Sequence, residues 1–361
     1  MRSIPLAEIE PLLDGQIDVR HRAGALQPLR LPAAELGFYD PFTRWVATCA
    51  AGVRLRLASN TRTLRLNATQ RMSAPAPGAE PRGAYDLLVD GVLFARARGQ
   101  GGALMDPDGT LHGGEAFEIS FEDLPAGEKI LELVLPQAAT VAITGLALDD
   151  QATLAPAPDL RPRILFHGSS ITHCMEAAGA TAPWPAVAAG LAGVNHLNLG
   201  WAGSCLLSGL AARIIRDAPA EAVVLKLGIN VHGEGLLKER SFLDSAHAMI
   251  SIIRERKTET PMLIVSPIFS PGREDVISAG GGVPLQRMRQ LLAEVVQARR
   301  RAGDGHIRYL DGLSLFGDAD AHLLPDDLHP NTEGYRLMGE RFHALALSGD
   351  TSLLAAGSLG K

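Results

Sequence analysis

Residues 164–172 read Ile164-Leu165-Phe166-His167-Gly168-Ser169-Ser170-Ile171-Thr172. A short apolar run ends in a glycine and two serines, and an apolar residue follows. That is the pattern of a buried strand turning into a helix, with a hydroxyl presented at the turn. Far downstream the chain reads Asp326-Asp327-Leu328-His329-Pro330. A serine on a tight turn together with a late Asp-x-x-His is the residue set of serine catalysis. The hydroxyl needs a base, and the base needs an acid to orient it.

Outward from that strand the same texture recurs. Apolar runs lie at Ile164–Phe166, His196–Leu199, Ala222–Leu227, Met262–Val265 and Ile307–Leu310. Segments of helical periodicity intervene, at Leu206–Ile215, Leu236–Ile253 and Leu285–Val296, and Tyr335, Met338, Phe342 and Leu345 share one helical face at the end. Strand alternating with helix five times implies an α/β domain, a parallel sheet with helices on both faces. Such sheets bind ligands at the carboxyl ends of their strands. Ser170 follows the first strand, Gly200-Trp201-Ala202-Gly203-Ser204 the second and Gly228-Ile229-Asn230 the third. Asp326 and His329 follow the fifth. Four turns distant in sequence are therefore expected on one edge.

Residues 40–150 have a different texture. Leu55 and Leu57 alternate with Arg54 and Arg56, and Leu64 and Leu66 flank Arg65. Period-two alternation marks strands with one buried face, so these arginines are expected on a solvated one. Ala84–Val89 runs into Asp90-Gly91, a hairpin signal. Further strands are expected around Phe117, Ile119 and Phe121, at Ile130–Leu135, and at Val141 and Ile143. The organisation expected is an all-β sandwich over 1–150, a proline-bearing linker over 151–162 (ATLAPAPDLRP covers 152–162) and a catalytic domain over 163–361. No internal repeat is evident.

The chemistry assigns roles. His329 takes the proton of Ser170, and Asp326 fixes the imidazole tautomer. Asp327 is the rival acid; the i−3 spacing favours Asp326. An oxyanion needs donors aimed at the developing charge, and the N–H of Ser170, the N–H of Gly203 and the amide of Asn230 are candidates. Gly200 is the rival to Gly203. Ser170 could instead cap a helix, and Asn230 could tie its own loop. Trp201 and Ser169 are candidates for the substrate pocket, and Trp184 for helix packing. His167, His173, Cys174 and His232 crowd the same turns, but their spacing matches no standard zinc motif, so no metal and no cofactor is expected.

Gly168-Ser169-Ser170-Ile171-Thr172 resembles block I of the SGNH (GDSL-type) hydrolases, with Ser169 where that family usually has Asp. Gly203 matches the block II glycine, Asn230 the block III asparagine, and Asp326-x-x-His329-Pro330 block V, over about 163–347. Block III usually continues with Asp, and Val231 stands there. The stretch Gly83–Gly91 is similar to the N-terminal β-domain of a bacterial SGNH subgroup. The resemblance implies a flavodoxin-like three-layer SGNH domain preceded by a jelly-roll-like sandwich. It also implies a serine esterase working through an acyl-enzyme on Ser170, and the block matches repeat the residue roles above. The G-x-S-x-G elbow of α/β-hydrolases is absent around Ser170.

Composition narrows the partners. A net charge of −6 without a dense basic run argues against a nucleic-acid binder. No apolar run approaches the roughly 18 residues of a membrane helix, and acidic residues break the N-terminal apolar stretches, so no signal peptide is expected. Three cysteines, Cys49, Cys174 and Cys205, fit a reducing cytoplasm. The expected partner is a small-molecule or carbohydrate ester, with a short acyl group such as acetyl; a homo-oligomer is left open. Two alternatives stand beside this one. A lipase, thioesterase or acyltransferase would use the same triad, and a non-catalytic carbohydrate-binding protein would not use it.

Overall fold

The computed structural model describes residues 1–22, 24–74, 82–105, 110–278 and 280–355. The chain divides into two compact units. One comprises Met1–Leu160 with Met175–Ala182, the other Arg161–Cys174 with Pro183–Lys361. Residues 356–361, the end of the expected catalytic domain, lie outside the described residues.

The first unit is β-rich, with two sheets around one core. In the larger sheet Leu64–Ser73 pairs with Ala139–Leu148, which also pairs with Ala25–Leu29, and that strand pairs with Asp18–Arg22. In the smaller, Arg54–Ser59, Lys129–Val134, Ala84–Val89 and Val92–Arg98 follow one another. The alternation read from the sequence supplies the shared core: Leu55, Leu57, Leu131 and Leu133 from one sheet, Leu64, Leu66, Val141 and Ile143 from the other. At Asp90-Gly91 both φ angles are positive, 50° and 81°, as a tight hairpin turn requires.

Four features go beyond the expectation or depart from it. Residues 2–29 contribute strands to both sheets. Residues Pro41–Thr48 form a helix, because Asp40 caps it, accepting from the N–H groups of Phe42 and Thr43, and Pro41 opens it. Within the expected linker, Ala155–Pro156 pairs with Ala58 and Leu57 at a sheet edge, where a proline lacking its N–H is tolerated. Arg54 is buried, not solvated. Leu13–Asp14 pairs with its strand, and the Asp14 carboxylate receives its guanidinium at 2.6 Å.

The eight residues Met175–Ala182 also join the first unit. Asp86, fully buried, accepts from Arg96 at 2.6 and 2.9 Å and from the Thr181 N–H and Oγ1 at 2.9 and 2.7 Å. Burial pushes its carboxyl up, but the hydrogen bonds of Arg96 and Thr181 outweigh burial and hold it below the ordinary carboxylate range. Gln137 Nε2 donates to Ala177 O at 2.8 Å.

In the second unit five parallel strands run in the order Asn195–Gly200, Arg163–Gly168, Ala222–Lys226, Met262–Val265, Ile307–Leu310. The order reverses direction at the Arg163–Gly168 strand, so a crevice opens at its carboxyl end, beside that of Ala222–Lys226. Ser170 and Asn230 follow these two strands. Phe166, Trp184 and Phe342 pack ring to ring, with centroids 5.1–5.6 Å apart. Lys226 ends its strand fully buried, with no hydrogen bond to Nζ among the described residues. Burial lowers its pKa from 10.5 to about 8.

Two outcomes are expected. Asp86→Ala strands the donors of Arg96 and Thr181, and equilibrium urea denaturation should show a loss of about 3 kcal/mol. Lys226 binds its proton more weakly folded than unfolded, so wild-type stability rises with pH between about 8 and 10.5 relative to a variant lacking the amine. Lys226→Met should therefore raise Tm most below pH 8, and the advantage should shrink as pH climbs through that window. A pH-independent difference would mean the amine does not titrate there.

Candidate active site

Ser170 opens the short helix Ser170–His173, directly after the Arg163–Gly168 strand. Ser169 precedes it with extended backbone, and its Oγ accepts from the Ile171 N–H at 3.2 Å. Ser169 is thus the helix cap, a role that serine and aspartate fill about equally well. This accounts for a serine where the related block carries Asp. Ser169 is fully buried, so it serves the turn and not a pocket.

His329 Nε2 lies 2.8 Å from Ser170 Oγ, and its Nδ1 lies 2.6 Å from Asp326 Oδ2. The other oxygen of Asp326 accepts from the N–H of His329 at 2.7 Å and of Leu328 at 3.1 Å. Desolvation is the largest influence on the Asp326 carboxyl and pushes it up. The His329 ring and these N–H groups outweigh desolvation and hold it well below the usual range. The carboxylate is therefore charged at neutral pH and keeps a proton on His329 Nδ1, which leaves Nε2 to accept. Asp327 contributes differently: its backbone carbonyl accepts from Ser270 Oγ at 2.6 Å and Arg273 Nη1 at 3.0 Å, with its own φ at 59°.

The loop after the second strand separates its two glycines. A Cβ on Gly200 would sit 2.3 Å from the His173 nitrogen, so only glycine lets the strand end pass the nucleophile helix. Gly203 has φ 66°, and neither its N–H nor that of Ser170 makes a hydrogen bond among the described residues. Asn230 lies in the first turn of the Ile229–Glu234 helix. Its Oδ1 accepts from the Cys205 N–H at 3.1 Å, leaving the NH2 as the end available to an anion.

The other candidates have packing roles. Trp201 is 1% exposed and meets the His167 ring edge to face, so it presents no open surface. The Trp184 indole N–H donates to Ile171 O at 2.9 Å. His167 Nδ1 donates to Leu199 O at 2.8 Å, so its Nε2 faces the Cys205 thiol, 3.6 Å away, as acceptor. Burial pushes that thiol up to about 12. Cys174 ends the nucleophile helix, fully buried, with Sγ 3.2 Å from Ile171 O. His173 Nδ1 accepts from the Ala202 N–H at 3.4 Å, and His232 Nδ1 donates to Val283 O at 3.0 Å.

Sequence reasoning missed Asn198 and Ser270. Asn198, buried, donates to Thr172 O at 2.9 Å and accepts from the Gly200 N–H at 2.8 Å, tying the nucleophile turn to the next loop. An asparagine inside an apolar strand was its signal. Ser270 lies in the exit of the fourth strand, and the rule applied to the other strand exits would have pointed there.

As arranged, these residues can take a proton from a hydroxyl, hold an imidazolium against a carboxylate and offer N–H groups to an oxyanion. Residues 166–337 match the model of the GDSL-like Lipase/Acylhydrolase family. No curated protein matches the sequence. The fold resembles that of the salicylyl-acyltransferase SsfX3 from a tetracycline biosynthetic pathway, with a TM-score of 0.82 and 28% identity over 94% of this chain and 95% of that one. It also resembles a GDSL-like lipase candidate from Bacteroides ovatus ATCC 8483, with a TM-score of 0.72 and 18% identity over 94% and 95%. A family two carbohydrate esterase from Clostridium thermocellum gives a TM-score of 0.60 and 17% identity over 82% and 92%. Residues 166–337 thus form a domain that matches the GDSL-like lipase/acylhydrolase family, and this match together with the esterase fold supports an ester-hydrolysing enzyme.

Proposed function

We propose that this chain is a serine esterase that cleaves short O-acyl esters, such as acetyl esters, of a sugar or small metabolite. The observation that carries this reading is the continuous series Ser170 Oγ, His329 Nε2, His329 Nδ1, Asp326 Oδ2, with gaps of 2.8 and 2.6 Å. Ser170 Oγ attacks the ester carbonyl while His329 Nε2 takes its proton. The oxyanion is received by the N–H groups of Ser170 and Gly203 and the amide of Asn230. Collapse expels the alcohol, which takes the proton back from His329 and leaves Ser170 acylated. Water then enters, gives a proton to His329 and attacks the acyl-enzyme. The second intermediate collapses to the free acid and regenerates the serine.

A second reading is acyl transfer, in which an alcohol replaces that water. It is favoured by the 28% identity over nearly the whole chain with the salicylyl-acyltransferase SsfX3. Both readings share the acyl-enzyme and differ only in the acceptor.

Hydrolysis of p-nitrophenyl acetate, butyrate and octanoate by wild type should fall with chain length. Ser170→Ala and His329→Ala should each lower kcat roughly 10^4- to 10^6-fold, and Asn230→Ala about 100- to 1000-fold. Activity retained in Ser170→Ala would overturn the nucleophile assignment. Adding a polyhydroxylated alcohol separates the two readings: unchanged acid release marks a hydrolase, whereas ester product formed at the expense of acid marks a transferase.

A further inference from the structure

Outside the catalytic unit, the larger sheet of the first unit carries a second polar site. Leu26 lies opposite Ile143, and both are in the core, so their chain neighbours Gln27 and Ala142 face away from it. Ala142 is paired with Thr69 and Thr140 with Arg71, while Gln27 is paired with Arg20 and Ala25 with Arg22. The outer face of four adjacent strands thus bears Arg71 on one side and Arg20 and Arg22 on the other. The strand spacing separates their backbones by roughly 14 Å. Arg44 and Trp45 of the Pro41–Thr48 helix line the same groove, whose volume is about 560 Å³.

Among the described residues the four arginines have no acidic partner. Among the described residues that line the groove none is Asp or Glu, and none of the four arginines makes an ion pair. Among the described residues the Arg20 guanidinium bonds only the amide oxygen of Gln27, at 2.6 and 3.2 Å. Other arginines of this unit are answered: Arg54 by Asp14, Arg96 by Asp86. The chain as a whole is acidic, at −6, so this basic patch is local. Burial first, and the charge of Arg22 second, lower the pKa of Arg20, as expected where like charges are gathered without a counter-ion. Trp45 Nε1 is itself buried and makes no hydrogen bond among the described residues, so the Trp45 ring is what lines the groove.

We propose that this groove binds an acidic oligosaccharide. Guanidinium groups take carboxylate or sulfate oxygens two at a time. The threonine and glutamine side chains between them suit sugar hydroxyls, and the Trp45 ring offers apolar surface to a sugar. A lone inorganic ion would fill little of the groove and could not use both banks. Single-stranded nucleic acid is disfavoured because it stacks on several aromatic rings, and Trp45 is the one aromatic lining residue described. The site lies within residues 20–142 and uses none of the residues around Ser170.

The test is titration of the full chain with tetragalacturonate, followed by calorimetry and tryptophan emission. Trp184 and Trp201 are buried, so Trp45 is the reporter. Cellotetraose, sodium sulfate and a single-stranded thymidylate decamer serve as comparison ligands. Saturable, salt-sensitive binding of the uronate is expected, weakened about tenfold or more by Arg22→Ser and by Arg71→Ser. Both variants should hydrolyse p-nitrophenyl acetate like wild type, which shows that they fold and keeps this test separate from that of the esterase reading. The proposal is overturned if the uronate does not bind, if cellotetraose or sulfate binds as tightly, if the decamer binds more tightly, or if neither arginine variant changes the affinity.

Discussion

The contact of Phe166, Trp184 and Phe342 is the constraint on which the catalytic geometry depends. Phe166 lies in the strand that delivers Ser170, and Phe342 ends the helix that follows His329. The ring of Trp184 packs against both, while its N–H holds the Ile171 carbonyl of the nucleophile helix. Two segments about 160 positions apart in the chain are thereby brought to a fixed separation. Aromatic pairs of this kind are worth about 0.5–1.5 kcal/mol each beyond the area they bury. Their geometry is also directional, and a hydrogen bond of 2.8 Å between Ser170 and His329 tolerates little error.

Around that anchor the residues divide their labour. Ser169 caps the nucleophile helix, Gly200 permits close passage, and Asn198 clamps two turns together. Ser270 and Arg273 hold the carbonyl of Asp327, next to the acid that orients the base. The site is supported by short polar contacts to backbone groups, most of them buried, where loss of one partner leaves the other unsatisfied. The chemistry therefore rests on a supporting set larger than the triad.

Much of this was legible in the chain. The five strands of the catalytic unit coincide with five apolar runs, because a strand buried on both faces needs apolar residues continuously. Ser170, Asn230, Asp326 and His329 could be named because residues after parallel strands face one crevice. The β-rich unit showed itself through alternation. The reading failed where a residue's surroundings came from far away. Arg54 looked solvated until residues 13–14 folded beside it. Trp201 looked like a pocket wall because a loop position was known and its burial was not.

The sequence by itself determined the strands of the catalytic unit, the chemistry carried at the strand ends and the rank of Asp326 over Asp327, since these depend on periodicity, turn residues and short spacings. Tertiary structure decided the strand order, which of Gly200 and Gly203 keeps its N–H without a hydrogen bond among the described residues, and the membership of Met175–Ala182 in the first unit. It also brought four arginines to one groove. These outcomes depend on pairings between residues far apart in sequence, such as Asp86 with Thr181 or Thr140 with Arg71. Local propensity has no term for such pairs; they are chosen by the burial and hydrogen bonding of the whole unit.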